Sequence, residues 1–156
     1  MYDEFDVVDC PLCDVIAGNE DAPGGIVFEN DQWAAWHHVD SSGFPGQIIV
    51  AQKRHAENLT HMSLDESMLL GPAIANISFA LSQVVRPARI YVYSFSEHIR
   101  HNHFFVVPRM SDMSEITDAT VTRHMRQFLL KKSYSQDELA WFALQVRSKL
   151  MVEDEF

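Results

Sequence analysis

The sequence predicts an α+β domain in which an antiparallel sheet carries one long helix and further helices follow near the C-terminus. Four or five short β-prone runs, mostly joined by short turns, account for the sheet, and one long apolar-periodic segment between them accounts for the helix. A helix-capping signal opens that segment, and a second opens a helix in the last third of the chain. At 156 residues the chain fits a single domain that can bury a core without disulfide staples. The sheet-bearing core spans about 10–109 and the helical extension about 110–156.

The elements follow in order. Cys10-Pro11-Leu12-Cys13 leads into Asp14-Val15-Ile16-Ala17-Gly18, a short helix ended by its glycine. After a turn at Pro23-Gly24-Gly25, Ile26-Val27-Phe28-Glu29 and Trp33-Ala34-Ala35-Trp36-His37-His38 flank Asn30-Asp31-Gln32 as a hairpin. Ser41 to Gly46 form a loop, and Gln47-Ile48-Ile49-Val50-Ala51 resume the sheet just before Lys53-Arg54-His55. Ser63-Leu64-Asp65-Glu66 has the capping-box form and opens the main helix, which runs to about Val85 before Arg86-Pro87 stops it. Arg89 to Phe95 is strongly β-prone, and a last core strand covers His101 to Val107, ended by Pro108. The remainder is helical: Thr117 to about Lys131, then Ser135-Gln136-Asp137-Glu138 opening a helix to about Val152. Leu139, Phe142, Val146 and Leu150 give that helix an apolar stripe for the same domain or for a second subunit.

Composition narrows the function classes. Hydrophobic residues make up 47% and charged residues 22%, near globular averages, so a disordered chain is excluded. The apolar stretches are broken by charge or turn residues short of the ~20 residues of a spanning helix, and the N-terminus is acidic, so no membrane association is expected and the cytoplasm is the expected location. A formal charge of −10 argues against a protein that grips long nucleic acid through many phosphates, and leaves a small nucleotide in a pocket open.

Two groups of residues carry chemistry. Cys10 and Cys13 form C-x-x-C, which serves as two zinc ligands, as a redox pair, or as reduced, unliganded cysteines. A zinc site would need two more donors, which His55 and one histidine of His98 to His103 can supply. In the segment His101-Asn102-His103-Phe104-Phe105, alternation along a strand puts His101, His103 and Phe105 on one face at about 6.5 to 7 Å intervals. A neutral imidazole held at one nitrogen can attack with the other, although H-x-H alone also describes ordinary polar residues on an exposed strand.

Taken together, the C-x-x-C, Phe28-Glu29-Asn30-Asp31, Gly46-Gln47-Ile48-Ile49-Val50, Lys53-Arg54-His55 and His101-x-His103 running to Val107-Pro108-Arg109 resemble the histidine-triad family in order and spacing. The resemblance covers Cys10 to Arg109. It implies the family's α+β fold, usually a homodimer, and nucleotidyl hydrolysis or transfer through a nucleotidyl-histidine intermediate. It implies His103 as the nucleophile and a structural zinc on Cys10, Cys13, His55 and His101. Phe28, His38 and Val39 would line the base and ribose site, while Ser94, Glu97 and Phe105 would lie near the phosphates. The expected substrate is a dinucleoside polyphosphate or similar phosphoanhydride.

This sequence departs from the pattern at three places. The third histidine of the triad is Phe105, the acidic residue that holds the ribose is His38, and Gly-Gln before the triad reads Ser96-Glu97. These departures keep a second function open, a nucleotide-binding protein with little turnover. A third, redox or zinc storage on Cys10 and Cys13, would leave His55 and His103 without a role.

Overall fold

The structure is a computed structural model that describes residues 9–38, 46–95, 98–112 and 134–151. Five strands, β1 (Ile26–Glu29), β2 (Trp33–His37), β3 (Ile48–Gln52), β4 (Arg89–Tyr93) and β5 (His103–Arg109), form one sheet in the order β1-β2-β3-β5-β4. Every neighbouring pair is antiparallel. Helix α1 (Pro11–Ala17) precedes the sheet, α2 (Leu64–Val85) connects β3 to β4, and α3 (Gln136–Arg147) follows it. The α+β architecture expected from the sequence is the one observed.

The two sheet faces bury different partners. Trp33, Ala35, Ile48, Val50 and Val106 point to one side, where Ala73, Ile77, Ala80 and Leu81 of α2 and Phe142, Ala143 and Val146 of α3 close the core. On the other side Ala34, Trp36, Ile49 and Ala51 meet Cys10 and Leu12, with Phe105 packed against them. The stripe predicted on the last helix thus belongs to this same domain, with Leu139, Phe142 and Val146 buried and Leu150 packed alongside.

Local chemistry fixes the joints. Asn30 turns the β1–β2 hairpin by accepting from the amides of Gln32 (3.0 Å) and Trp33 (2.8 Å) through its side chain, and it donates to the Leu69 carbonyl of α2 (3.2 Å). Both capping boxes form: Ser63 accepts from the Glu66 amide while Glu66 accepts from the Ser63 amide, and Ser135 and Glu138 repeat the exchange. Gly24 adopts φ +74, and a Cβ there would lie 2.7 Å from Ala143 and 2.8 Å from the Ala140 carbonyl, so α3 packs directly on this turn. Arg147 donates to the carbonyls of Gly24 and Ile26 from the last turn of α3.

Several boundaries differ from expectation. Helix α1 begins at Pro11, because proline suits a first helical turn, and so takes in Cys13. The strand after α2 stops at Tyr93 instead of Phe95. Pro108 lies inside β5: pairing with β3 reaches only Val106, so at position 108 the strand has β4 alone beside it, and proline is tolerated there. His101 precedes this strand rather than starting it. Helix α3 ends at Arg147, short of Val152, because Asn76 of α2 captures the chain after it, donating to the Met151 carbonyl (3.0 Å) and accepting from its amide (2.7 Å). Helix α2 carries charge only in its first turn and is by length and composition apolar enough to cross a membrane, contrary to the sequence reading, yet its inward side is the core described above. The expected helix at 117–131 and most of the loop at 41–46 lie outside the described residues.

Glu66 links the start of α2 to the segment before His55. Its carboxylate accepts from Arg54 Nε and Nη2, both at 2.9 Å, while the Trp33 indole donates to its backbone carbonyl at 2.8 Å. The Arg54 guanidinium, aided by the Ser63 amide against the opposing effect of burial, lowers the Glu66 pKa from 4.5 to about 2. A depressed carboxylate stabilises the fold above its unfolded pKa and loses that contribution as the pH falls through the folded value. Glu66→Gln is therefore expected to cost about 2 to 3 kcal/mol at pH 7 and to flatten the stability profile between pH 4.5 and 2. Denaturant midpoints at several pH values test this, and parallel acid profiles for the two proteins would contradict it.

Candidate active site and metal centre

Cys10 and Cys13, one helical turn apart at the start of α1, face the segment after β3 and the approach to β5. Their thiols, His55 and His101 form a group whose ligand atoms all lie within 4.8 Å of one another. Cys10 Sγ is 3.3 Å from His101 Nδ1, Cys13 Sγ is 3.3 Å from His55 Nδ1, and Cys13 Sγ is 3.4 Å from His101 Nδ1. Both cysteines are free thiols. Two sulfurs and two imidazole nitrogens at these separations outline the edges of a small tetrahedron, the closed donor set that suits structural zinc.

The far side of His101 supports that assignment. Its Nε2 lies 2.6 Å from the Gln52 carbonyl, which can only accept, so the proton sits on Nε2 and the Nδ1 lone pair points at the thiols. Burial lowers the pKa of this imidazole to about 4, which keeps it neutral and able to ligate. Burial and the neighbouring Cys10 raise the Cys13 thiol to about 12, a cost that a bound cation would reverse by taking the thiolate form.

Two residues that the sequence did not single out assemble the cluster. The Asn102 side chain donates to Gln52 Oε1 (3.0 Å) and to the Asn58 carbonyl (2.7 Å), and its amide donates to the Ala56 carbonyl (2.6 Å). In return the Gln52 amide donates to the Asn102 carbonyl (3.1 Å). These bonds tie the stretch that holds His55 to the stretch that holds His101.

His103 opens β5 opposite Ala51 and is 3% exposed. Its Nδ1 lies 2.6 Å from the His101 carbonyl oxygen, which places the proton on Nδ1 and leaves a lone pair on Nε2. Nε2 is buried and has no hydrogen-bond partner among the described residues. Burial lowers the pKa of the ring from 6.5, against the opposing pull of the His101 carbonyl, so the neutral form prevails at physiological pH. An unbonded buried acceptor costs about 1 to 3 kcal/mol, a penalty that a ligand donating to Nε2 would remove.

The other predicted site residues divide. Phe105 shares the His103 face and meets its ring edge-on at 5.3 Å, and His38 lies 5.9 Å from the Phe105 ring. Ser94 is exposed just after β4, adjacent to Tyr93, whose ring stacks on Phe105 at 5.1 Å. Val39 and Glu97 lie outside the described residues. Phe28 is a correction: it packs against the helix-side core, opposite Ala35. The cause is a bulge in β1 between Ile26 and Phe28, which turns Val27 and Phe28 to the same side and leaves Ile26, opposite Trp36, on the face of His103.

Comparison with known proteins places this geometry in a class. No family model matches the chain, nor does any curated protein sequence. Solved structures do. A HIT-like protein involved in cell-cycle regulation from Bartonella henselae is 20% identical with a TM-score of 0.70, the match covering 91% of this chain and 96% of that one. A hypothetical histidine triad nucleotide-binding protein from Sulfolobus tokodaii is 15% identical with a TM-score of 0.68, covering 90% and 91%. A zinc-bound histidine triad family protein from Mycobacterium smegmatis is 16% identical with a TM-score of 0.67, covering 90% and 92%. The chain thus has the histidine-triad fold. Within that class it combines a two-cysteine, two-histidine cluster with phenylalanine, Phe105, two residues beyond the buried His103.

Purified without chelator, the protein is expected to carry about one zinc per chain by elemental analysis, and Cys13→Ser and His55→Ala each to lose it and to lower the melting temperature. Less than about a tenth of an equivalent in the unsubstituted protein would contradict a closed zinc site.

Proposed function

We propose that the protein is a zinc-stabilised nucleotidyl hydrolase or transferase that cleaves a nucleoside phosphoanhydride through a covalent intermediate on His103. The observation that carries this reading is the His103 ring, held at Nδ1 by the His101 carbonyl with Nε2 buried and unbonded. Nε2 attacks the α-phosphorus, the new P–N bond replaces the bond to the polyphosphate oxygen, and the leaving group departs with the electron pair as a stable anion. Positive charge then builds on the imidazole, and the His101 carbonyl is placed to stabilise it through Nδ1–H. Water attacks the same phosphorus in the second step and gives up a proton to the solvent, the P–N bond returns its electrons to Nε2, and the nucleoside monophosphate leaves.

Within this reading, Cys10, Cys13, His55 and His101 would hold zinc, and four protein donors of this kind suit a structural ion rather than one that activates water. Bound there, zinc would hold His101 in place, and the His101 carbonyl orients the His103 ring through Nδ1. His38, Val39 and Ser94 with Glu97 are the proposed nucleotide-contacting positions; Ile26 takes the place expected for Phe28. The free thiols suit a reducing compartment such as the cytoplasm. The second reading, a nucleotide-binding protein with little turnover, is favoured by Phe105, which has no proton to give. A homodimer is the proposed assembly, supported by the exposed Leu64, Met68 and Phe79 of α2 and Val92 of the edge strand β4; a scattering mass near 17.9 kDa at micromolar concentration would remove it.

The chemistry of the leaving group makes the test. An amine must be protonated as it departs, whereas a polyphosphate need not be, and lost general-acid assistance costs about 10² to 10⁴ in rate. Slow or absent phosphoramidate turnover with measurable phosphoanhydride cleavage is expected, with Phe105→His raising the first more than the second and His103→Ala abolishing both. Because the nucleophile must be neutral and its pKa is lowered, the acid limb of kcat/KM is expected below pH 6.5. Efficient phosphoramidase activity in the unsubstituted protein would overturn this account of Phe105. Undiminished turnover in His103→Ala would overturn the nucleophile, and nucleotide binding without any turnover would favour the second reading.

A further inference from the structure

A cavity of about 370 Å³ opens beside α3, and its walls among the described residues are Tyr134, Asp137, Glu138, Trp141 and Phe142. None of these belongs to the His103 site. Their spacings of three, four and seven put them on one face of the helix and of the residue just before its cap. Phe142, 6% exposed, gives the cavity its floor, whereas Trp141 stands 61% exposed, an unusual state for so large a ring. Helix and floor are both anchored. The close approach of Gly24 to Ala140 and Ala143, with the Arg147 bonds to the Gly24 and Ile26 carbonyls, seats α3 on the domain. The Phe142 ring meets the buried His37 edge-on at 5.8 Å, and a Cβ at Gly46 would lie 3.3 Å from it. His37 is itself held at both nitrogens: Nδ1 donates to the His38 carbonyl and Nε2 accepts from the Gly46 amide, each at 2.9 Å.

The charge of the cavity is one-sided. Asp137 and Glu138 bring two carboxylates, and no basic side chain lines it among the described residues. The positive end of the α3 dipole, equivalent to roughly half a charge, opposes a cation there and is outweighed by the two acids. The Glu138 carboxylate is engaged as the cap of α3, accepting from the Ser135 amide (2.8 Å) and hydroxyl (3.1 Å), so it offers a cation its charge more than a fresh acceptor. A primary ammonium needs several acceptors to replace its water, which three aromatic rings do not supply. A cation without N–H groups needs only π faces and nearby negative charge. We propose that Tyr134, Trp141 and Phe142, with Asp137 and Glu138, form a binding site for a quaternary ammonium group, separate from the His103 site. Trp141 and Tyr134 supply the π faces, Phe142 the apolar floor for the methyl groups, and the two carboxylates the attracting field. No bond is made or broken at this site.

The experiment titrates the full chain by NMR with choline, with neohexanol, its neutral carbon isostere, and with ethanolamine, its primary ammonium counterpart. Choline is expected to bind with a dissociation constant of about a millimolar, and about 10-fold more tightly than either comparison compound. Its N-methyl protons should show nuclear Overhauser contacts to the Trp141 indole. Trp141→Ala should weaken choline about 10-fold and Trp141→Phe less, while Asp137→Asn should weaken choline about 3-fold and leave neohexanol unchanged. Trp141 and Asp137 are exposed, so these variants are expected to keep the melting temperature of the parent. Choline, a trimethyllysine peptide and phosphatidylcholine vesicles separate the possible sources of the group, and the tightest binder identifies the source. Equal binding of choline and neohexanol, ethanolamine binding as tightly as choline, no saturation by about 50 mM choline, or full choline affinity in Trp141→Ala would overturn the proposal. Should Trp141→Ala fail to fold, the Overhauser contacts in the unsubstituted chain decide: contacts to Trp141 support the site, and contacts that omit it overturn it.

Discussion

The 2.6 Å contact between His103 Nδ1 and the His101 carbonyl is where the cysteine–histidine cluster, the sheet and the unbonded His103 Nε2 meet. A carbonyl can only accept, so it dictates the imidazole tautomer, and with it which nitrogen carries a lone pair into the site. Without that contact a buried histidine has two ways to place its proton, and only one of them leaves Nε2 able to attack. The remaining architecture keeps this carbonyl where it is.

It does so from both directions. On the cluster side, His101 is turned by the Gln52 carbonyl so that its Nδ1 meets the thiols of Cys10 and Cys13. The backbone between His101 and His103 is itself held by the bonds of Asn102 to Gln52, Ala56 and Asn58. On the sheet side, β5 lies between β3 and β4 and is buried on the helix face by Val106. Both supports act on the same short stretch of backbone, so the arrangement of the cysteine–histidine cluster, the sheet packing and the His103 tautomer bear on one another.

Much of this is legible in the residues because it rests on local chemistry. Ser63 with Glu66 and Ser135 with Glu138 announce helix starts by spacing alone, and Asn30 between two aromatic runs announces a hairpin. Cys10 and Cys13 announce a pair of thiols whose spacing leaves metal, redox and unliganded readings open, and resemblance to one family joins them to His55 and selects His101 from three neighbouring histidines. What stays hidden depends on partners distant in sequence. Nothing in Ile26-Val27-Phe28 marks a bulge, so the family pattern alone puts Phe28 on the wrong face; Pro108 reads as a strand end until the register shows that β3 has already stopped beside it. Gln52 and Asn102 look like ordinary polar residues, and the stacking of Tyr93 between Phe95 and Phe105 requires the pairing of β4 with β5.

Two of the departures from the histidine-triad pattern, Phe105 and His38, meet in the structure. Replacing a histidine by Phe105 removes a proton donor and supplies a ring that Tyr93 stacks on and His38 approaches, so the neighbourhood of His103 becomes apolar. An apolar neighbourhood also disfavours the imidazolium form of His103 through desolvation, which keeps the ring neutral. The most direct test is the protonation state of His103, read by ¹⁵N–¹H correlation NMR on protein labelled in its imidazoles, with the His103→Phe variant assigning the resonance. At pH 7 a neutral ring protonated at Nδ1, with an unprotonated Nε2, is expected. A charged ring, or a proton on Nε2, would contradict the assignment of His103 as a nucleophile held ready by the His101 carbonyl.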